Sequence, residues 1–117
     1  MYTYVFAIKN TDSPLNRNQG MIGGLITSNK NIAVNTGSWG GNLANANVVD
    51  IGLDQIVPAN RIGTEYAVVR GALTRTTPQH ERVMIVGHED NTEIKVNGVV
   101  LTTINAGEYY LIPSNKY

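Results

Sequence analysis

The sequence predicts an all-β protein, an antiparallel β-sandwich or jelly-roll-like sheet built from short strands and hairpins. Three observations carry this: several short runs alternate apolar and polar residues, an Asn-Gly pair sits between two apolar runs, and no long segment carries an apolar stripe at helical spacing.

The first alternation opens the chain. Tyr2, Tyr4, Phe6 and Ile8 fall on one face of an extended segment, and Thr3, Val5, Ala7 and Lys9 fall on the other. Residues 11–20, with Asp12, Ser13, Pro14, Asn16 and Asn18, hold the turn formers of a surface loop. Residues 24–27 and 31–36 read as two short strands joined at Ser28, Asn29 and Lys30, with Ile32 and Val34 inward.

Residues 37–42 are glycine-rich around Trp39, and from there to about Asn60 the sequence is least regular, reading as a long loop region. Residues 43–53 are the one helical candidate, and their asparagines and glycines argue against it. Alternation returns over residues 65–70, with Tyr66 and Val68 on one face, before a polar break at residues 74–79 that contains Pro78. Residues 83–86 form a continuous apolar run, the pattern of a strand covered on both faces.

Asn97-Gly98, between residues 93–96 and 99–101, is the strongest local signal. These two residue types supply the two positive φ angles of a type I′ turn, whose twist matches that of the strands it joins. Ala106-Gly107 turns the chain again, and residues 109–112 form a strand that Pro113 ends.

Composition narrows the function. Nine basic and nine acidic residues give no net charge, so the summed field that draws proteins onto nucleic acid or anionic membranes is missing, and neither partner is expected. Charged residues are 15 % of the chain, leaving a neutral, amide-rich surface. No window approaches the roughly 20 apolar residues that would span a bilayer, and the alternating first residues are not a signal peptide. The lack of cysteine removes disulfides, thiol nucleophiles and thiolate metal sites together, and favours a bacterial chain over a eukaryotic extracellular one.

Several side chains are candidates for chemistry. His88, Glu89 and Asp90 place a histidine beside carboxylates, but neighbours along an extended chain point to different sides, which favours a solvated turn. His80 has no spacing that pairs it with His88 at a metal. Asp90 and Asn91, or Asp50, Asp54 and Glu65, offer oxygens to Ca2+, yet no loop presents the six to eight oxygens that calcium takes, so no cofactor is expected beyond a weak calcium alternative. The same Asp90 and Asn91 have a folding role open to them, since their side chains bond nearby backbone N–H groups and fix turns.

Trp39, the sole tryptophan, sits among Gly37, Gly40 and Gly41, where a ligand can approach the backbone closely. With Asn42, Asn45 and an exposed Tyr110 it makes a candidate ligand-binding set for a sugar ring, against the alternative that Trp39 folds back to cap the core. Ser38 lacks the strand–turn–helix setting of a nucleophile elbow.

Five pieces in order then carry a resemblance: residues 27–37 (TSNKNIAVNTG), residues 54–58 (DQIVP), residues 63–66 (GTEY), residues 89–98 (EDNTEIKVNG) and residues 105–108 (NAGE). Their succession resembles the bacterial branch of the IgGFc-binding protein N-terminal domain. The resemblance implies a β-rich chain of a secreted or cell-surface protein, with residues 1–117 as a single β domain that is an internal portion of something larger. It does not carry immunoglobulin binding over by itself. Cutting a sheet leaves unpaired strand edges, which either make the segment self-associate through those edges or mark it as part of a longer polypeptide.

The sequence therefore leads to a non-enzymatic extracellular or cell-surface module for adhesion, binding or assembly, whose partner is a protein or a surface glycan. The alternatives are a carbohydrate-binding module using Trp39 and the Asn-rich loops, and a fragment of a secreted hydrolase.

Overall fold

A computed structural model of the chain describes residues 3–6, 21–41, 50–69, 83–113 and 115–117, and every strand in them pairs antiparallel. In chain order these are β1 (Asn35–Gly41), β2 (Asp50–Gln55), β3 (Met84–Val86), β4 (Thr92–Val96), β5 (Val99–Ile104) and β6 (Tyr109–Leu111). They form three two-stranded ladders, β1 with β2, β4 with β5, and β3 with β6. The all-β antiparallel class read from the sequence is what the structure has.

The β4–β5 hairpin follows from its turn. Asn97 and Gly98 take φ of 51° and 81°, the pair of left-handed conformations that closes Val96 against Val99 without splaying the strands. Inward and outward positions alternate along β4: Thr92, Ile94 and Val96 turn toward the interior, and Glu93 and Lys95 face water. The ladder shifts register between Ile94, which pairs Thr102, and Lys95, which pairs Val100, so Leu101 is the extra residue of a bulge. The bulge resets the pleat and lets Ile104, opposite Thr92, join Ile94 on the buried side. On the outer face Lys95 Nζ lies 2.7 Å from Glu93 Oε1, an exposed pair that contributes little.

β3 and β6 are short, but the pairing continues past both ends. The Ile112 N–H donates to the Val83 carbonyl and the Gly87 N–H to that of Glu108, each at 2.9 Å. Pro113 brings no N–H and ends the ladder. Ile94, Ile104 and Ile112 are the buried hydrophobic residues among those described, so the core sits where these two ladders meet their connecting turns.

Two turns of one type touch beside this core. The Gly24 N–H donates to the Met21 carbonyl at 3.0 Å, and the Glu108 N–H donates to that of Asn105 at 3.0 Å. Each places a glycine at φ 80° in its third position, Gly23 in one and Gly107 in the other, as a type II turn requires. The backbones meet so closely that a Cβ on Gly23 would stand 1.9 Å from the Gly107 oxygen.

Several expectations are corrected. Residues 3–6 form no strand and Tyr4 and Phe6 are exposed, because no partner strand lies beside them among the described residues; Tyr2 and Ile8 lie outside those residues. Residues 24–27 and 31–34 are likewise not strands, and Ile32 is exposed rather than inward. The strand starts at Asn35 and runs through the glycine-rich stretch read as a loop, because β2 supplies its partner; β2 itself lay in the region read as irregular. The Ile56 N–H donates to the Val34 carbonyl at 3.2 Å and extends that ladder. Residues 65–69 are exposed and unpaired as strand, Arg70 lying outside the described residues. β3 is covered on fewer sides than its apolar run implied: Met84 and Ile85 are half-buried and Val86 is exposed. The loop at residues 11–20 and the break at residues 74–79 lie outside the described residues.

Candidate binding surface

Asp90 and Asn91 sit in the turn that leads into β4, and the structure gives both a structural task. Asp90 Oδ1 accepts the Ala106 N–H at 3.1 Å, and Asn105 Oδ1 accepts the Asn91 N–H at 3.2 Å. Each turn thus supplies the side chain that satisfies the other's backbone. Two further bonds brace the pair: Thr92 Oγ1 donates to the Glu89 carbonyl, and the Asn105 N–H donates to Glu108 Oε2, both at 2.7 Å. Asn91 adopts φ 58°, a left-handed conformation that asparagine tolerates better than most residues.

His88 and Glu89 are exposed on the same turn. Among the described residues no three histidine, aspartate or glutamate side chains gather as a metal site needs. Asp54, the other described candidate from β2, spends Oδ1 on the N–H of Gln55 at 2.7 Å. His80 lies outside the described residues. Replacing Asp90 by alanine is expected to lower stability by about 1 kcal/mol, because the Ala106 N–H loses its acceptor while water can still reach it. Urea denaturation with and without added calcium checks this; a loss seen only with calcium would assign Asp90 to an ion instead.

Of the ligand-binding set read from the sequence, Trp39, Asn42, Asn45 and Tyr110, only Tyr110 lies with its side chain among the described residues. Trp39 has its backbone on β1, inside the register shift between Ser38 and Gly41, and its side chain is outside the description. Asn42 and Asn45 lie outside the described residues. Tyr110 is on another ladder, paired with Ile85, and is half-buried; its neighbour Tyr109 is the more exposed ring.

The described residues also present apolar surface in the middle of the chain. Beyond β2 the chain makes a 3-10 turn at Ala59–Arg61, bends at Thr64 and continues without forming a strand to residue 69, with every residue exposed. Val57, Tyr66 and Val69 stand 62 %, 67 % and 89 % open to solvent, and Leu53 on β2 71 %. Isolated exposed apolar groups are ordinary, but this number beside three buried isoleucines among the described residues is not.

Tyr66 differs from the others in being held. Its hydroxyl donates to the Gly63 carbonyl at 2.8 Å and accepts the Gly63 N–H at 2.9 Å, so a four-residue loop closes on the phenol and fixes the ring while leaving it exposed. An aromatic ring whose rotamer is settled before contact loses little entropy on binding. Sequence reading placed Tyr66 on one face of a strand; the sign of its real role was the glycine three residues before it, a spacing that only a bent backbone turns into a contact.

Among the described residues no helix is long and apolar enough to cross a membrane. Neither a search of curated proteins nor one of solved structures finds a match. The family model described as IgGFc binding protein matches residues 3–117, which include both braced turns, all six strands and the Gly63–Tyr66 loop. The chain belongs to the IgGFc-binding protein family, a family of binding domains.

Proposed function

We propose that this chain is a non-enzymatic module of a secreted or cell-surface protein, acting in adhesion or assembly by binding another protein through the exposed apolar segment that follows β2. The pre-set ring of Tyr66 is the observation that carries this reading, since rigid aromatic anchors are over-represented among the residues that dominate protein interfaces. The family's name makes the Fc region of IgG the first partner to try. Among the described residues each ladder has only two strands, and their outer backbone edges support a second contact, between copies of the chain.

Binding to immobilised IgG Fc, with Fab fragments as control, tests the proposal. Tyr66→Ala is expected to weaken the interaction about tenfold or more, the effect of a well-placed aromatic anchor. A glycan-binding module remains the competing reading, supported by the setting of Trp39 among glycines. It predicts that enzymatic removal of the Fc glycan, or Trp39→Ala, abolishes binding while Tyr66→Ala does not. Failure of the folded chain to bind either form of Fc would remove Fc from the proposal.

A further inference from the structure

The tip of the β4–β5 hairpin is built from the dipeptide whose own backbone can attack its side chain. Asn97-Gly98 is the one Asn-Gly pair in the sequence. Both residues are exposed, and nothing lies within 4 Å of the place a Cβ on Gly98 would occupy, so no other part of the described chain crowds the turn on that side. Among the described residues the Asn97 carboxamide has no hydrogen-bond partner. The hairpin is closed by the Val96–Val99 pair, which leaves the peptide joining Asn97 to Gly98 outside the ladder, free to rotate without unpairing a strand.

We infer that Asn97 is a site of spontaneous deamidation in the folded protein. The Gly98 amide nitrogen, deprotonated by hydroxide, attacks Asn97 Cγ. The new N–Cγ bond closes a five-membered succinimide as the Cγ–Nδ2 bond breaks, and ammonia leaves after taking a proton from water. A water molecule then opens the ring at either carbonyl, giving aspartate or isoaspartate; the net change is water in, ammonia out, with no oxidant or reductant.

The turn sets the opposing term. The φ of 51° at Asn97 belongs to a type I′ turn, and ring closure needs that residue to rotate away from its turn conformation. Hairpin tips open at low cost relative to the ladder behind them. The opening needed here lies beyond the last closing pair and leaves the buried Ile94 untouched.

Both products add a negative charge at the tip. Isoaspartate also lengthens the main chain by one atom inside a two-residue turn, which no longer fits the Val96–Val99 closure.

The test is incubation of the folded chain in mildly alkaline buffer, with peptide mapping that separates aspartate from isoaspartate, run beside the same chain in concentrated urea. Residue 97 is expected to convert faster than any other asparagine, to yield both isomers, and to do so within about tenfold of the unfolded rate, because only local opening is required. Asn97→Gln is expected to remove the new acidic species from ion exchange, since the longer side chain closes a less favourable ring. Conversion at residue 97 confined to urea, or an intact Asn97 while other asparagines convert, would overturn the inference by showing that the turn protects it.

Discussion

Ile104→Ala is expected to lower the unfolding free energy by about 2–4 kcal/mol, the cost of deleting a buried isoleucine's outer carbons and leaving a partly collapsed hole. Ile104 is one of three buried hydrophobic residues described, only 6 % exposed, and it ends β5 opposite Thr92. Its Cδ1 reaches across to the Gly87 backbone, 3.2 Å from where a Cβ on that residue would stand, so the side chain joins the β4–β5 hairpin to the β3–β6 ladder. A loss of this size is a large fraction of the stability of an ordinary domain. Denaturant unfolding measures it; a midpoint within error of the parent chain would mean that the core lies elsewhere. Val100→Ala, on the exposed part of the same strand, is the matched control and is expected to change stability by less than about 0.5 kcal/mol.

The second large effect is expected from the other side of that contact. Gly87 is buried, its N–H donates to the Glu108 carbonyl, and its own carbonyl accepts the Gly107 N–H, both at 2.9 Å. A Cβ there would stand 2.5 Å from the Asn105 carbonyl oxygen, closer than real Cβ contacts come, and the obstacle is backbone rather than a side chain that can swing away. Gly87→Ala is therefore expected to push the 105–108 turn off and to cost about 2–3 kcal/mol, in the range of overpacked sites. Hydrogen exchange locates the damage: the Gly87 and Gly107 amides lose protection while those of β4 near the Asn97-Gly98 turn keep theirs. If Gly87→Ala exchanged like the parent at all of these positions, the close approach would have no energetic meaning.

The parts of this fold that were legible in the sequence are those whose cause is local. Asn97-Gly98 encodes its turn in two residues, and strands β4 and β5 follow from it because a type I′ turn dictates their register. Asp90 and Asn91 were readable as turn formers for the same reason, although nothing nearby in sequence says that their partners are Ala106 and Asn105. β1 was invisible because Gly37, Gly40 and Gly41 have low strand propensity, and only pairing with β2 makes them a strand. At Gly37 the glycine is required, since a Cβ there would run into the Gly52 carbonyl and the Leu53 side chain. Alternation misled in the opposite direction at residues 3–6 and 65–69, where the pattern of a half-buried strand is present and no ladder is described. The site was less legible still: Tyr66 becomes an anchor through a hydroxyl contact three residues back, and side-chain periodicity carries no trace of that bond.

The meeting of Gly23 with Gly107 joins parts of the chain that are distant in sequence, whereas β4 and β5 are separated by a two-residue turn. Ring-closure entropy makes the hairpin the early event, on the microsecond scale of about 1–10 μs for such units, and makes the long-range contact wait for the 105–108 turn to be in place. A chain emerging from the ribosome therefore exposes its 21–24 turn well before the 105–108 turn that receives it has been made, and the earlier turn waits for the later one to lock it down.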